Sequence, residues 1–475
     1  MNSVMKPATA AVAASLCVLL GACTMAPRYH RPGLPVEDSF GQGQSTEVLK
    51  EAEIPAADIG WSEFFPDAEL KALIRRALTN NRDLRIATLN VEAVRAQYRI
   101  QRAELVPAID AQGQANNQRV PASLSQTGES QLNRSYSAGV GVSAFELDLF
   151  GRVRSLRRAA LEEFFRVEEN RTAAQLALVS EVANAWLTLI ADRELLKLAE
   201  ETRDSQRKSF DLTQLRFKQG VSSEIDLHRS ETAWREAEVD IAVQTRRVAQ
   251  DRNALSLLVG EPLPADVAAG EHAIDAQTFK LELPVGVPSL VLARRPDVRA
   301  AEHALKAANA DIGAARAAFF PSISLTGFYG QASDDLDSLF DSGHTTWSFT
   351  PQIRLPIFAG GANLAGLNLA NARKRIEVAR YEQSIQIAFR EVADALVARA
   401  TYTEQIRAQE ALTRASEGSY KLADIRYRGG VDSYLSSLIA QRDYYSAQRA
   451  LIQTRLAGAS NLIQLYSAMG GGWKE

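Results

Sequence analysis

The sequence offers thiol chemistry at one useful position, Cys23, which follows Leu20-Gly21-Ala22 in the pattern of a bacterial lipobox. A cysteine in that pattern becomes the first residue after cleavage and carries covalent lipid, an S-diacylglycerol on its thiol and an N-acyl group on its amine. Upstream, Lys6 precedes an apolar run from Ala10 to Leu20, too short to span a bilayer as a helix and suited to a signal-peptide core. The only other cysteine, Cys17, lies in the segment to be removed, which leaves no second thiol for a disulfide, a metal or a nucleophile. Catalytic chemistry is harder to find. His30, His228, His272, His303 and His344 are isolated from one another in sequence and read as surface or packing residues. There is no phosphate-cradling glycine loop, zinc spacing or nucleophile elbow. No enzyme, metal site or catalytic residue is expected. Once the signal peptide is gone only Met25 and Met469 remain of four methionines, so no soft-metal thioether relay is expected either. A net charge of −3 with 23% charged residues argues against nucleic acid as a partner.

The elements that would position any function come in two copies. Arg216-Phe217-Lys218-Gln219-Gly220-Val221 returns 210 positions later as Arg426-Tyr427-Arg428-Gly429-Gly430-Val431, with an aromatic seven residues before Phe217 and Tyr427 (Phe210, Tyr420) and a leucine five before them (Leu212, Leu422). Residues 152–219 and 221–259 contain no Gly or Pro, which predicts two long helices joined by a glycine turn at Gly220. The second pair, from about Gly366, turns at Gly429-Gly430. A helix over 152–219 would be roughly 100 Å long at 1.5 Å per residue. Apolar Leu176, Val179, Val182, Ala183, Trp186, Leu189 and Ile190 give it a packing stripe. Shorter helices precede each pair. One is expected from Asp67, as its cap, to about Leu105, and one from Pro296-Asp297 to about Ala318, each ended by a proline, Pro107 or Pro321, at an offset of 214.

Between the short and long helices the hydrophobic period changes to two. Trp347, Phe349, Pro351, Ile353, Leu355 and Ile357 alternate with Ser348, Thr350, Gln352 and Arg354, as in a strand with one apolar and one polar face. Tyr136, Ala138, Val140, Val142 and Ala144 alternate too, and the phase slips at Phe145, Leu147 and Leu149, which predicts a bulge. Ile323, Leu325, Gly327 and Tyr329 form a third run, and 107–118 a weaker fourth. Polar loops near 119–133 and 331–345 separate the paired strands. Four strands of this length match the pattern of a transmembrane barrel, but one copy cannot close it, and open edges in lipid cost several kcal/mol per unpaired group. Three copies would give twelve strands, enough for an aqueous lumen, which makes a homotrimer the expected assembly.

Four segments carry a closer likeness: Glu146-Leu147-Asp148-Leu149-Phe150-Gly151-Arg152, Ala314 through Ile323, Leu355-Pro356-Ile357-Phe358, and Arg426-Tyr427-Arg428-Gly429-Gly430-Val431-Asp432. Together they resemble the outer-membrane factor family, in its OprM-type lipoprotein branch, related to TolC. The resemblance implies an α+β membrane protein. Its trimeric transmembrane β-barrel, with four strands per protomer, would continue into a long periplasmic α-helical barrel with an internal two-fold repeat. It implies a bacterial outer-membrane exit duct for antimicrobial or other small toxic compounds, with a periplasmic adaptor, an inner-membrane RND-type transporter and outer-membrane lipid as partners. On that frame 1–22 is the signal peptide and 23–60 an extended tether. Repeat 1 covers 61–260 with strands near 107–118 and 134–150, and 261–295 is an equatorial connection. Repeat 2 covers 296–466 with strands near 321–331 and 345–358, and 467–475 is a tail. The polar loops would face outside the cell and the glycine turns the periplasm.

The resemblance also implies a closed gate at the hairpin tips, Gly220-Val221 and Gly429-Gly430-Val431, with Asp226 hydrogen-bonded to Tyr427 and Asp432 nearby. The OprM pattern sets a leucine ring four residues before an aspartate ring. Here Leu435 is kept, Ile439 stands in place of the acid, and the related TolC acid falls on Ser436. Neither carboxylate ring is present, so stacked Leu435 and Ile439 rings would close the pore by dewetting. A plainer reading of the same residues lets Arg216, Lys218, Arg426 and Arg428 complement helix C-termini while Asp226 faces solvent. Competing functions are a lipid-anchored periplasmic coiled-coil scaffold, which leaves the strands without a role, and a duct for metal ions or secreted proteins.

Overall fold

The structure, a computed structural model, describes residues 24–37, 40, 58–125, 128–264, 267 and 292–473. The expected signal peptide, Cys23, His272 and most of the 261–295 connection lie outside the described residues.

Among the described residues the first helix is the short α1 (Trp61–Phe64), followed by α2 (Ala68–Asn80), which Asp67 caps by accepting from Leu70 N–H at 2.7 Å. The single helix expected from Asp67 to about Leu105 is in fact two, α2 and α3 (Arg82–Ala103). Asn81 breaks it. Its backbone turns to ψ 133°, its side-chain oxygen accepts from Leu84 N–H at 2.9 Å, and its side-chain nitrogen donates to Leu258 C=O at 2.9 Å. One residue thus ends α2, caps α3 and ties both to the helix that carries Leu258.

Then come strands β1 (Asp110–Val120) and β2 (Gln131–Leu147), and the long hairpin α4 (Arg152–Lys218) and α5 (Glu224–Val259). The order repeats as α6 (Pro296–Ala317), β3 (Ser322–Ser333), β4 (Thr345–Arg354), α7 (Ala362–Arg428) and α8 (Tyr434–Ala468). Pro296 occupies the first helical position of α6, where its missing N–H is not needed.

By contacts the chain falls into two compact units, the first made of 1–33, 90–167 and 300–381, the second of 34–89, 168–299 and 382–475. Unit 1 holds one antiparallel sheet in the order β1-β2-β3-β4. Val140 faces Tyr329, Tyr329 faces Trp347, and Gly327 faces Phe349, so one face of the sheet is apolar across three strands. The phase slip expected in β2 falls where the register shifts between Val142 and Phe145. Val142 pairs Gly327 and Phe145 pairs Leu325, so β2 carries one extra residue, with Ala144 at φ 49°. That residue keeps Phe145 and Leu147 on the apolar face, which strict alternation would have left.

Residues 24–33 are clasped along α6. Arg316 donates to Met25 C=O at 3.2 Å and Asn309 to Pro27 C=O at 2.8 Å, while Tyr29 and Arg31 both donate to Glu302, at 3.1 and 3.2 Å. Positions 302, 309 and 316 recur every seven residues and share one helix face. Unit 2 is cored by the expected α4 stripe from Val179 to Ile190 together with Trp61, Phe64, Phe65, Ile463 and Tyr466. The Phe64 and Tyr466 rings stack at 3.9 Å, and Tyr466 donates to Ile59 C=O at 2.6 Å. Each such fully buried side chain contributes about 1.5–3 kcal/mol.

Candidate functional site

The two hairpin ends, both in unit 2, are built alike. Gly220 takes φ +75° and Gly430 φ +74°, a left-handed conformation that side chains with a Cβ rarely adopt. Behind each glycine, Val221 N–H returns to Arg216 C=O at 2.9 Å and Val431 N–H to Arg426 C=O at 2.9 Å. This is the backbone closure that ends a helix on a glycine. Gly429, one residue earlier, keeps an ordinary backbone and bonds Ile425 C=O at 2.9 Å. The following helices restart on serine caps: Ser223 accepts from Asp226 N–H at 3.1 Å, and Ser433 from Ser436 N–H at 3.4 Å.

Asp226 and Tyr427, the expected pair, are not bonded to each other within the described chain. Asp226 is the third residue of α5, where its carboxylate accepts from the Ser223 hydroxyl at 2.7 Å and lies 3.8 Å from Arg229. It closes its own helix cap. The Tyr427 hydroxyl instead donates to Thr213 Oγ1 at 3.1 Å, and the buried Thr213 hydroxyl passes its own proton to Ser209 C=O at 2.8 Å.

Asymmetry between the copies explains how the hairpins join. Asp432 gives Arg426 a two-pronged partner within its own turn, at 2.6 and 3.0 Å. That hydrogen bond holds the Asp432 carboxyl below the usual carboxylate range. The equivalent of Asp432 in the first copy is Ser222, so Arg216 has no acid in its turn and reaches across. Its guanidinium donates to Tyr427 C=O at 3.3 Å and sits 5.0 Å from the centre of the Tyr427 ring. Tyr427 is therefore held by its hydroxyl, its carbonyl and its ring face at once.

Tyr434 packs beside it, with ring centres 5.4 Å apart, in a cluster completed by Ala233, Leu438 and Leu212. The Tyr434 hydroxyl is buried and has no hydrogen-bond partner among the described residues. Burial first, then the neighbouring Tyr427, Tyr420 and Asp226, push its ionisation well above the ordinary tyrosine value. Farther from the tip, Gln441 donates to Ser205 Oγ at 3.2 Å and Tyr445 to Asp240 at 3.0 Å, two more bonds between the hairpins. At about 1 kcal/mol net each, such bonds form a latch rather than a weld.

On α8, Leu435 and Ile439 lie four apart on one face and remain 39% and 51% exposed, while Tyr434 and Leu438 are buried. Ser436 is exposed and serves the cap. Thr213, Tyr434 and the cross-reach of Arg216 escaped the sequence reading. Thr213 and Tyr434 are ordinary residues of an amphipathic helix, whereas the missing acid at Ser222 was a legible sign for Arg216.

Comparison with known proteins adds four findings. A family model described as outer membrane efflux protein matches residues 73–261 and 287–471. The toluene efflux pump outer membrane protein TtgC of Pseudomonas putida is 50% identical over 457 residues, covering 96% of this chain and 94% of that protein. OprJ of Pseudomonas aeruginosa, an outer membrane protein, is 44% identical, covering 99% of this chain and 97% of its own length. The open state of the MtrE outer membrane channel of Neisseria gonorrhoeae superimposes with a TM-score of 0.86 at 41% identity, covering 95% of this chain and 99% of that one.

Proposed function

The chain belongs to the outer membrane efflux protein family, and on that premise we propose how this member works. It is the outer-membrane exit channel of an efflux pump, a trimer whose sheets form a twelve-stranded barrel and whose helices extend into the periplasm. The observation that carries this reading is the sheet itself. Tyr329, Trp347, Phe349 and Ile353 on its apolar face are 62%, 72%, 61% and 68% exposed, a large patch that suits lipid. β1 and β4 are its outer strands, and in lipid their free backbone groups demand a partner strand. The β1 of one copy pairs with the β4 of the next.

The hairpin tips act as the gate. The Tyr427 latch and the Arg426–Asp432 bond hold each protomer's tip, and three Leu435 and three Ile439 side chains close the axis by excluding water. A periplasmic adaptor and an RND-type inner-membrane transporter dock on the hairpins and release the latch by binding the open arrangement more tightly. No catalysis is involved. Cys23 carries the lipid anchor, and the clasp of residues 24–33 on α6 holds the chain just behind it. Intact mass spectrometry of the purified protein tests this: the N-terminus is expected to start at lipidated Cys23, and an unmodified one overturns the anchor.

The exported compounds are small, apolar and toxic, in keeping with the toluene efflux pump relative. Deleting the gene and profiling susceptibility tests this. Sensitivity to solvents, detergents and antimicrobials is expected, with resistance restored by the intact gene. Sensitivity confined to copper or silver would move the chain to a metal duct.

A further inference from the structure

The face of the sheet opposite the lipid-facing aromatics is polar, with Gln112, Ser137, Ser324, Thr326, Ser348, Thr350 and Gln352 in register across its strands. Phe328 stands among them, opposite Ser348 on one side and Gly141 on the other, and is the one aromatic on that face among the described residues. It does not stand upright. A Cβ built on Gly139 would lie 2.8 Å from Phe328 Cζ, one on Gly330 would lie 2.9 Å from it, and one on Gly141 would lie 3.6 Å from Cδ2. Gly139 and Gly330 are direct cross-strand partners, and a Cβ on Gly139 would also come within 2.6 Å of Gly330 Cα. The ring is therefore laid flat over a floor of glycine backbone that tolerates no side chain. One ring face covers the glycines and the other is left to the polar side of the sheet.

We propose that Phe328 is a solute-contact residue of the barrel wall. Resting on the closure of three sheets into a barrel, three Phe328 rings then lie at one height and form an apolar station in a polar wall of amides and hydroxyls that also carries Asp110, Glu146 and Arg354. A flat ring keeps the lumen wide, offers its π face to passing aromatic or large apolar solutes and adds an attraction for aromatic cations. Small hydrated ions gain nothing from it.

The test is current block in planar bilayers holding the purified trimer, with probes added on the barrel-mouth side. Tetraphenylphosphonium is the aromatic cation and tetramethylammonium the small control. Phe328→Ser is expected to weaken tetraphenylphosphonium block by about tenfold with tetramethylammonium unaffected, and Phe328→Tyr to retain it. The trimer band on unheated gels checks that each variant assembles. An assembled Phe328→Ser channel blocked like the wild type overturns the proposal and leaves the ring a purely structural cover for its glycines. If Phe328→Ser does not assemble, Phe328→Leu takes its place, and undiminished block in that variant overturns the ring's role equally. A wild-type protein that neither forms trimers nor conducts would instead remove the barrel reading on which the proposal stands.

Discussion

The Tyr427 hydroxyl donates to Thr213 Oγ1 across 3.1 Å, tying the last turn of the second long helix to the first long helix of the other hairpin. Thr213 is fully buried and spends its own proton on Ser209, so no water competes for the bond. Tyr427→Phe and Thr213→Val each remove it, at about 1 kcal/mol per protomer, or about 3 kcal/mol for a trimer. The open fraction of the tip should rise by up to about 100-fold. Uptake of a large polar antibiotic that the outer membrane excludes reads this out in intact cells. Exclusion as in the wild type for both variants would place the latch elsewhere.

Arg426 and Asp432 make a pH-dependent contribution with a defined sign. The Arg426 bond lowers the folded-state carboxyl below its ordinary value of 3.8, so the contribution is present above that value and is lost as pH falls through the lowered one. Between pH 5 and 8 the tip should therefore not respond through this pair. Asp432→Asn is expected to raise conductance equally at pH 5.5 and 7.5. A wild-type tip that loosens at pH 5.5 in the manner of the variant at 7.5 would show that another group titrates there.

Asp251 has the opposite sign. Its burial first, and then the neighbouring Asp192 carboxylate, push its carboxyl up to about 6, with Arg247 partly opposing. Local stability is therefore greatest below the unfolded value of 3.8 and falls as pH rises through about 6. Asp251→Asn should slow amide hydrogen exchange around residues 248–255 at pH 7.5 relative to the wild type and leave it unchanged near pH 4. Equal pH dependence in the two proteins would mean that Asp251 is not responsible.

Leu435 and Ile439 are exposed within a protomer, and the gate proposed above sets them on the axis. Ile439→Asp should install three carboxylates there, giving cation preference in reversal-potential measurements and a conducting tip at lower threshold. Leu435→Ser should relieve dewetting without adding selectivity. If neither changes conductance, these side chains do not line the constriction.

What was legible in the sequence followed from strong local physics. Gly220 and Gly430 sit where only a left-handed turn ends a helix, and the 210-residue repeat made each the witness for the other. The phase slip before Phe145 marked the extra residue of β2, because a half-lipid, half-water sheet cannot let apolar residues change face. The break at Asn81 was hidden because the apolar pattern runs on through Leu84, although two consecutive asparagines are a cap signal. Asp226 takes the local partner that Ser223 offers three residues earlier, a signal in the sequence that competes with the distant Tyr427. Thr213, Tyr434 and Phe328 carry no local signal. Their roles come from what the fold sets against them, a neighbouring helix in two cases and a glycine floor in the third.

Three copies enclosing one conduit, latched at the hairpin tips, should show themselves as a channel with a restricted tip. Single-channel recording of the purified protein in planar bilayers addresses it directly, comparing the wild type with a Tyr427→Phe, Asp432→Ala double variant. Discrete, uniform steps of small conductance are expected from a heat-modifiable trimer, and a several-fold larger unit step from the double variant. Silent bilayers from properly folded protein, or identical steps in the two proteins, would contradict it.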